Sequence, residues 1–404
     1  MDGRIADDSN QPRPLKSVEM FAGAGGLALG ASGAGFHHTV LLEINGDVCD
    51  TIRANMNSGR NYSAGWPLVE GDVRDYDFNG IEDVDLLAAG VPCQPFSAGG
   101  KKRGQDDERN MFPELFRAQR ELKPQVVLVE NVRGLAAQSF SKYFEYIRLC
   151  LQFPLLERLA DEDWGEHRNR LLQVHAAGEL QALEYVVSHA VLNAADFGAA
   201  QWRERVFIVA IRSDLESVWV APQPTHSMDR LVWDQWKSGD YWKRHKIAKP
   251  PAPDMSHRYG AAIRRVLKMK SPPAGKPWRT IRDEIAALPE VAPGVPHPDD
   301  SNHFINPGAR AYDRHTGSRI DEPAKTLKAG AHGVPGGENT LEVASGVRYF
   351  SVREAAILQG FPKDYRFEGA WTSAMRQIGN AVPVHLAKAV ADSIRTILES
   401  SGRA

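Results

Sequence analysis

The 404 residues are 42% hydrophobic and 25% charged, with a formal net charge of −2. That composition excludes a disordered or uniformly basic chain and leaves room for one large domain plus a smaller one. No uncharged apolar run approaches the roughly 18 residues of a spanning helix, so no membrane partner is expected. The three cysteines, Cys49, Cys93 and Cys150, lack metal-ligand spacing. Free thiols, no metal and a cytoplasmic location are therefore expected.

Met1 to Lys16 is polar, contains Pro12 and Pro14, and lacks the apolar stretch of a signal peptide, so it reads as a flexible tail. Ser17–Phe21 then reads as a strand and Leu27–Ala34 as the start of a helix. Thr39–Glu43 is a strand and Gly46–Met56 a helix. Val84–Ala88 and Val126–Val129 are apolar strands, with a helical pattern over Met111–Leu122 between them. Phe153–Leu180 reads as a charged, Leu-rich helical insertion, after which Tyr185–Leu192 and Val206–Ile211 resume as strands. This alternation predicts an α/β fold: a Rossmann-like, mostly parallel sheet with helices on both faces. Near Pro222 the chain turns rich in Pro, Gly, Trp and basic residues. From Thr225 to Arg282 there are 14 Lys and Arg against 4 acidic residues. Periodicity returns in Val352–Leu358 and in an amphipathic C-terminal helix, Val384–Leu398. The division expected is a catalytic domain over 1–215, a smaller loop-rich domain over 216–350, and a segment over 351–404 that returns to complete the first.

Three stretches carry chemistry. Phe21-Ala22-Gly23-Ala24-Gly25-Gly26-Leu27-Ala28 follows a strand and opens a helix, where glycines let the backbone approach a ligand. Glu43 ends the next strand, where a carboxylate can take ribose hydroxyls, and Asp72 follows a third apolar segment, where it could accept from an adenine amino group. Gly23-x-Gly25-x-x-Ala28 equally satisfies the dinucleotide fingerprint, so this loop alone leaves NAD and other nucleotide-type cofactors open. Gly90-Val91-Pro92-Cys93-Gln94-Pro95-Phe96-Ser97 follows the strand Val84–Ala88 and places a cysteine at the carboxyl end of a sheet strand. Glu130-Asn131-Val132 ends the next strand, so Glu130 can share a cleft with Cys93. In Gln201-Trp202-Arg203-Glu204-Arg205, alternation puts Gln201, Arg203 and Arg205 on one face. Each feature has an ordinary reading as well: a bare turn, an inert buried thiol, a surface carboxylate, a wet strand face.

Taken together and in this order, these stretches resemble the motifs of DNA (cytosine-5) methyltransferases of the bacterial restriction-modification type. So do Arg353-Glu354-Ala355-Ala356-x-Leu358-Gln359-Gly360-Phe361-Pro362 and Gln377-Ile378-Gly379-Asn380-Ala381-Val382-Pro383. The resemblance spans nearly the whole chain. It implies S-adenosyl-L-methionine as methyl donor, with S-adenosyl-L-homocysteine as product, and double-stranded DNA as substrate. It makes Cys93 the nucleophile that adds to carbon 6 of a flipped-out cytosine, with Glu130 contacting nitrogen 3 and Arg203 and Arg205 stabilising base and acid. By the same resemblance Phe21, Gly23 and Gly25 line the methionine end of the cofactor, Glu43 the ribose and Asp72 the adenine, while Asn380 and Val382 complete the pocket. Ile44 stands where the family often has an aromatic that stacks on adenine.

DNA contacts are expected from Gln94, Ser97, Lys101 and Arg103, within a glycine-rich basic loop suited to closing over DNA, and from Gln201. The region from about Pro222 to Asn339 corresponds to the family's recognition domain. Its basic stretch Lys243-Arg244-His245-Lys246 could meet phosphates. The nearby Trp233, Trp236 and Trp242 are expected to be core. Arg314, His315, Lys328 and His332 are candidates for base-edge contacts, which suggests a GC-rich palindromic site. The expected protein is a monomer, paired in function with a restriction endonuclease. A tRNA cytosine-5 methyltransferase would share the catalytic motifs. A NAD-linked oxidoreductase would leave Cys93, Glu130 and the arginine pair without a common purpose, and a non-catalytic DNA-binding protein would not need them.

Overall fold

The computed structural model describes residues 13–58, 63–92, 110–178, 180–256, 258–311, 316–329 and 339–402. Seven strands form one sheet: β1 (Leu15–Met20), β2 (Phe36–Glu43), β3 (Leu68–Glu70), β4 (Leu86–Gly90), β5 (Val126–Val132), β6 (Tyr185–Asn193) and β7 (Glu204–Arg212). Their order is β3-β2-β1-β4-β5-β7-β6. The first five run parallel, whereas β7 is antiparallel to both β5 and β6. The fold class is thus the mostly parallel α/β sheet expected. Arg13 forms a bidentate pair with the buried Asp85 (2.6 and 2.7 Å), and Leu15 and Lys16 already belong to β1. The predicted tail is therefore tied down at its carboxyl end: a central strand needs its flanking backbone bonds satisfied.

Helices cover both faces. On one lie α1 (Gly26–Gly33) and the C-terminal α12 (Val384–Ser400), whose Leu386, Val390 and Ile394 pack with Leu86, Leu128 and Val209. On the other lie α3 (Phe112–Leu122), α4 (Ser141–Gln152) and α5 (Trp164–Ala177), against Leu87, Val127 and Ile208. Alternate residues of β4 and β5 thus feed opposite cores, as period-2 strands buried on both faces must. The link from α1 to α12 is the physical reason the chain's end belongs to the sheet it left about 170 residues earlier by the numbering of β7 and α12.

Helix α2 (Gly46–Met56) is capped by Asn45, whose side chain accepts from Val48 N–H. Its Ile52 joins a third core with Trp66, Leu327, Phe350 and Tyr365. That core also takes in α10 (Val352–Leu358) and α11 (Trp371–Asn380). Between β7 and this core lie four short helices: α6 (Met228–Val232), α7 (Asp240–His245), α8 (Gly260–Leu267) and α9 (Ile281–Ile285). Leu231, Tyr241, Trp242, Ile263 and Trp278 form a separate small core there. Two two-stranded pieces complete the structure: β8 (His226–Ser227) with β9 (Lys276–Pro277), and β10 (Thr340–Val343) with β11 (Gly346–Tyr349). Among the described residues no helix is long and apolar enough to cross a membrane.

Candidate active site and cofactor cavity

The chemistry-bearing loops gather at the carboxyl ends of β1, β2, β4 and β5, where open parallel sheets bind ligands. After β1 the backbone turns sharply. Phe21 takes φ +58° and Gly25 φ +82°, conformations that cost an L-residue such as Phe21 but not glycine. A Cβ on Gly25 would also sit 3.0 Å from Trp66 and 3.2 Å from the Tyr365 hydroxyl. That hydroxyl donates to the Ala24 carbonyl at 2.8 Å, so the C-terminal third of the chain props the glycine loop from below.

Glu43 ties the loop to β2. Its carboxylate accepts from Gly23 N–H (2.9 Å), Ile44 N–H (3.0 Å) and Asn45 N–H (2.9 Å). Asp72 accepts from Arg74 N–H at 2.9 Å and is gripped by the Arg74 guanidinium, which holds its carboxyl below the usual range. These groups border one cavity of about 430 Å³, lined by Phe21, Leu42, Glu43, Ile44, Gly71, Asp72, Val73, Arg74, Pro92 and Met111. The size suits a cofactor-class ligand. Ile44, 63% exposed, leaves an apolar side chain in water on its wall, which a flat apolar ligand would cover. Of the predicted cofactor residues, Phe21, Glu43, Ile44 and Asp72 line the cavity. Gly23 presents its N–H to Glu43. Val382 is buried with its main chain against Gly26, and Asn380 ends α11, exposed.

The second half of the site sits across β4 and β5. Gly90 pairs with Glu130 in register, and the Asn131 side chain donates to the Val91 carbonyl at 3.2 Å. This fixes the backbone two residues before Cys93. Residues 93–109 lie outside the described residues, and with them Cys93, Gln94, Ser97, Lys101 and Arg103. Glu130 is buried, and burial pushes its carboxyl above the ordinary value, with Arg205 and then Arg203 opposing. Arg205 Nε lies 2.9 Å from Glu130 Oε1.

The arginine motif separates into two roles. Arg205 reaches Glu130. Arg203, fully buried, instead donates to the carbonyls of Leu327 (2.7 Å) and Gly379 (2.5 Å). Gln201, expected to contact DNA, is also fully buried: its Oε1 accepts from Leu327 N–H at 2.9 Å and its amide meets Gln359. Both ends of its amide are thus engaged within the protein. Glu204 pairs with Arg133, and the regular strand begins only there, which leaves Gln201 and Arg203 outside the alternation expected of them.

The basic stretch of α7 carries ion pairs yet leaves Lys243, Arg244 and Lys246 exposed. Arg244 and His245 both engage Asp283, and Lys243 pairs with Asp240. Trp242 is buried and meets Trp236 edge-on at 5.7 Å, as expected for core. Lys328 is exposed, and Asn339 clasps its backbone from both sides at 2.9 Å. Arg314, His315 and His332 lie outside the described residues. Cys49 and Cys150 are buried and free, their thiols pushed up to about 12 chiefly by burial, which makes both poor nucleophiles.

A glycine turn and two carboxylates thus border one cavity, with a buried acid and its arginine nearby at the end of β5. The family model for C-5 cytosine-specific DNA methylases matches residues 15–152 and 164–396, and the chain belongs to that family. It is 30% identical over 390 residues to the type II methyltransferase M.NgoMIV of Neisseria gonorrhoeae, covering 94% of this chain and 96% of that protein. To M.Eco47II of Escherichia coli it is 31% identical over 386 residues, covering 95% and 79%. The solved S. pombe Dnmt2 methyltransferase shares the fold at a TM-score of 0.52 and 17% identity, over 96% of this chain and 99% of that one. The Entamoeba histolytica methyltransferase EhMeth does so at 0.53 and 12%, over 96% and 99%.

Proposed function

We propose that the protein methylates carbon 5 of a cytosine flipped out of a short, specific double-stranded DNA sequence, through a covalent adduct with Cys93. The observation that carries this reading is the placement of Glu130: buried, shifted toward its protonated form, paired with Arg205, and in register with the strand that runs into Pro92-Cys93. A solvated carboxylate could not donate at neutral pH. A buried one can.

S-adenosyl-L-methionine supplies an activated methyl group when bound and leaves as S-adenosyl-L-homocysteine. The cavity fits it in size and in donor set, with Glu43 toward the ribose, Asp72 toward the adenine amino group, and Ile44 replacing an aromatic stack by apolar packing. Phe21, Gly23 and Gly25 would orient the methionine end, with Asn380 and Val382 closing the site. In the reaction, the Cys93 sulfur bonds to carbon 6 and the C5=C6 electron pair moves into the ring. Glu130 donates its proton to nitrogen 3, and Arg205 offsets the charge that develops. Once carbon 5 carries the methyl group, the nitrogen 3 proton returns to Glu130, the carbon 5 proton leaves to a base, the C6–S bond breaks, and the C5=C6 double bond and the thiolate are restored.

The segment 97–104 would close over DNA, with Lys101 and Arg103 on phosphates. Lys328, Arg314, His315 and His332 would read base edges, in a recognition domain over 216–350 between catalytic segments 1–215 and 351–404. The relatives' designation as type II methyltransferases is in keeping with a functional pairing with a restriction endonuclease, and the enzyme proposed is a cytoplasmic monomer that meets the nucleoid through its DNA substrate. Bisulfite sequencing of plasmid DNA incubated with protein and S-adenosyl-L-methionine tests the reading. Protected cytosines confined to one motif, and none with Cys93→Ser, are expected. Complete conversion with the wild-type protein would overturn it and point to tRNA.

A further inference from the structure

The geometry points to Arg203 as a positioning residue that couples the recognition segment to the catalytic acid, rather than a group that touches the base. The inference rests on the DNA-methyltransferase reading above. Residues 200–203 and 324–327 are zipped together along their lengths. Ala324 N–H donates to the Ala200 carbonyl and Trp202 N–H to the Ala324 carbonyl, each at 2.8 Å. The Thr326 hydroxyl donates to the Trp202 carbonyl at 2.7 Å, and Leu327 N–H to Gln201 Oε1 at 2.9 Å. Arg203 closes the zip by holding the Leu327 carbonyl, one residue before the exposed Lys328.

Its other arm holds Gly379, and there the contact is tight. A Cβ on Gly379 would lie 2.3 Å from Ala329 N. The guanidinium thus clamps the Lys328–Ala329 backbone between the C-terminal end of α11 and the entry to β7. Two residues further along, Arg205 meets Glu130. Among the described residues Arg203 makes no ion pair. A fully buried cation is costly, and burial together with Arg205 disfavours its charged form. Two carbonyl acceptors are a weak return for that cost if the aim were stability alone. A rigid fork holding two separate backbones is what guanidinium geometry provides and ammonium cannot. Displacement of Leu327–Lys328 by a wrong base pair would therefore pull on Arg203, and through the start of β7 on Arg205 and Glu130.

The test uses duplexes carrying the site found by bisulfite sequencing, and versions altered at one base pair, all with the target base removed. With no base to touch, a base-contacting residue has nothing to lose. The ratio of affinities, cognate over altered, is measured with S-adenosyl-L-homocysteine present for wild type, Arg203→Lys and Thr326→Val. The expected result is a fall of about tenfold in that ratio for Arg203→Lys, the worth of one base-pair mismatch, and a smaller fall for Thr326→Val. Calorimetric affinity for S-adenosyl-L-homocysteine should stay at the wild-type value in both. Should Arg203→Lys fail to fold, Thr326→Val carries the test alone. Wild-type ratios in the folded variants, even with methylation lost, would overturn the proposal. A wild type that methylates no DNA cytosine would instead overturn the functional reading itself.

Discussion

Two regions of the same sheet edge treat carboxylates in opposite ways. At the ends of β2 and β3, Glu43 is surrounded by three backbone N–H donors, and Asp72 by one such donor and a guanidinium. Asp72 is held below its ordinary value, as suits an acceptor facing a ligand's hydroxyl or amino hydrogens. At the end of β5, Glu130 also has a cation, Arg205, yet its carboxyl moves up. The difference is water. Asp72 remains partly open to solvent, whereas Glu130 is buried, and loss of hydration outweighs the arginine's attraction. A cation near an acid therefore does not by itself set the direction of its shift, and one sheet edge can push carboxylates both ways within a few strands of each other.

The largest effect should come from breaking this contrast at Glu130. Glu130→Ala is expected to lower the single-turnover methylation rate by about 10³ or more, within the range of general-acid contributions. Glu130→Gln, which keeps a hydrogen-bond donor but cannot transfer a proton, should lose about 10². Cofactor affinity should hold in both. The sign with pH follows from the upward shift: the acid form is present below the folded-state value and is lost as pH rises through it. Wild-type rates should therefore show a limb that descends as pH rises, which Glu130→Gln lacks. A limb that survives the substitution would assign the titration elsewhere.

A smaller effect should follow at the acceptor end. Glu43→Ala removes the acceptor for three N–H groups and the proposed ribose contact together. Its affinity for S-adenosyl-L-homocysteine by calorimetry should fall about 10- to 100-fold, on the scale of one to two charge-assisted hydrogen bonds. Wild-type affinity would mean that Glu43 serves only the loop.

Apart from the short β3, the strands of the first half were legible in the sequence to within two or three residues at each end, because strands buried on both faces leave continuous apolar runs such as Val126–Val129. The glycine turn and the residues ending β2, β4 and β5 were legible for a related reason: their chemistry follows their position in the alternation. What stayed hidden was pairing at long range. Alternation put Gln201, Arg203 and Arg205 on one face, but the regular strand begins only at Glu204. Nothing local could say that the first two bond to Leu327, which lies 126 and 124 residues away, and only the family resemblance linked the third to Glu130, 75 residues away. The same limit hid Asp283, which pairs with Arg244 and His245 of the α7 stretch that reads as basic alone. The helices α4 and α11 were also missed, although α11 carries the family's Gln377-Ile378-Gly379-Asn380 residues.

A third carboxylate sharpens the comparison because it has burial without a cation. Glu19, on β1, is 1% exposed, and neither oxygen makes a well-formed hydrogen bond among the described residues. Burial pushes it well above the ordinary carboxylate range, with the Ala28 backbone offering slight relief. Its neighbourhood is already neutral: His38, bonded to Ser17 and to the Ala28 carbonyl, is pushed down to about 4 by burial. A raised folded-state value means that stability is full below the unfolded value of 4.5 and declines as pH climbs from there toward the folded value. Glu19→Gln removes that decline. Its melting temperature should exceed the wild-type value by about 2–4 °C at pH 8, the equivalent of about 1 kcal/mol in a large domain, and the gap should close as pH falls toward 4.5. A variant that melts below wild type at pH 8 would mean that Glu19 is ionised in the fold, and that burial alone does not decide the charge of acids in this sheet.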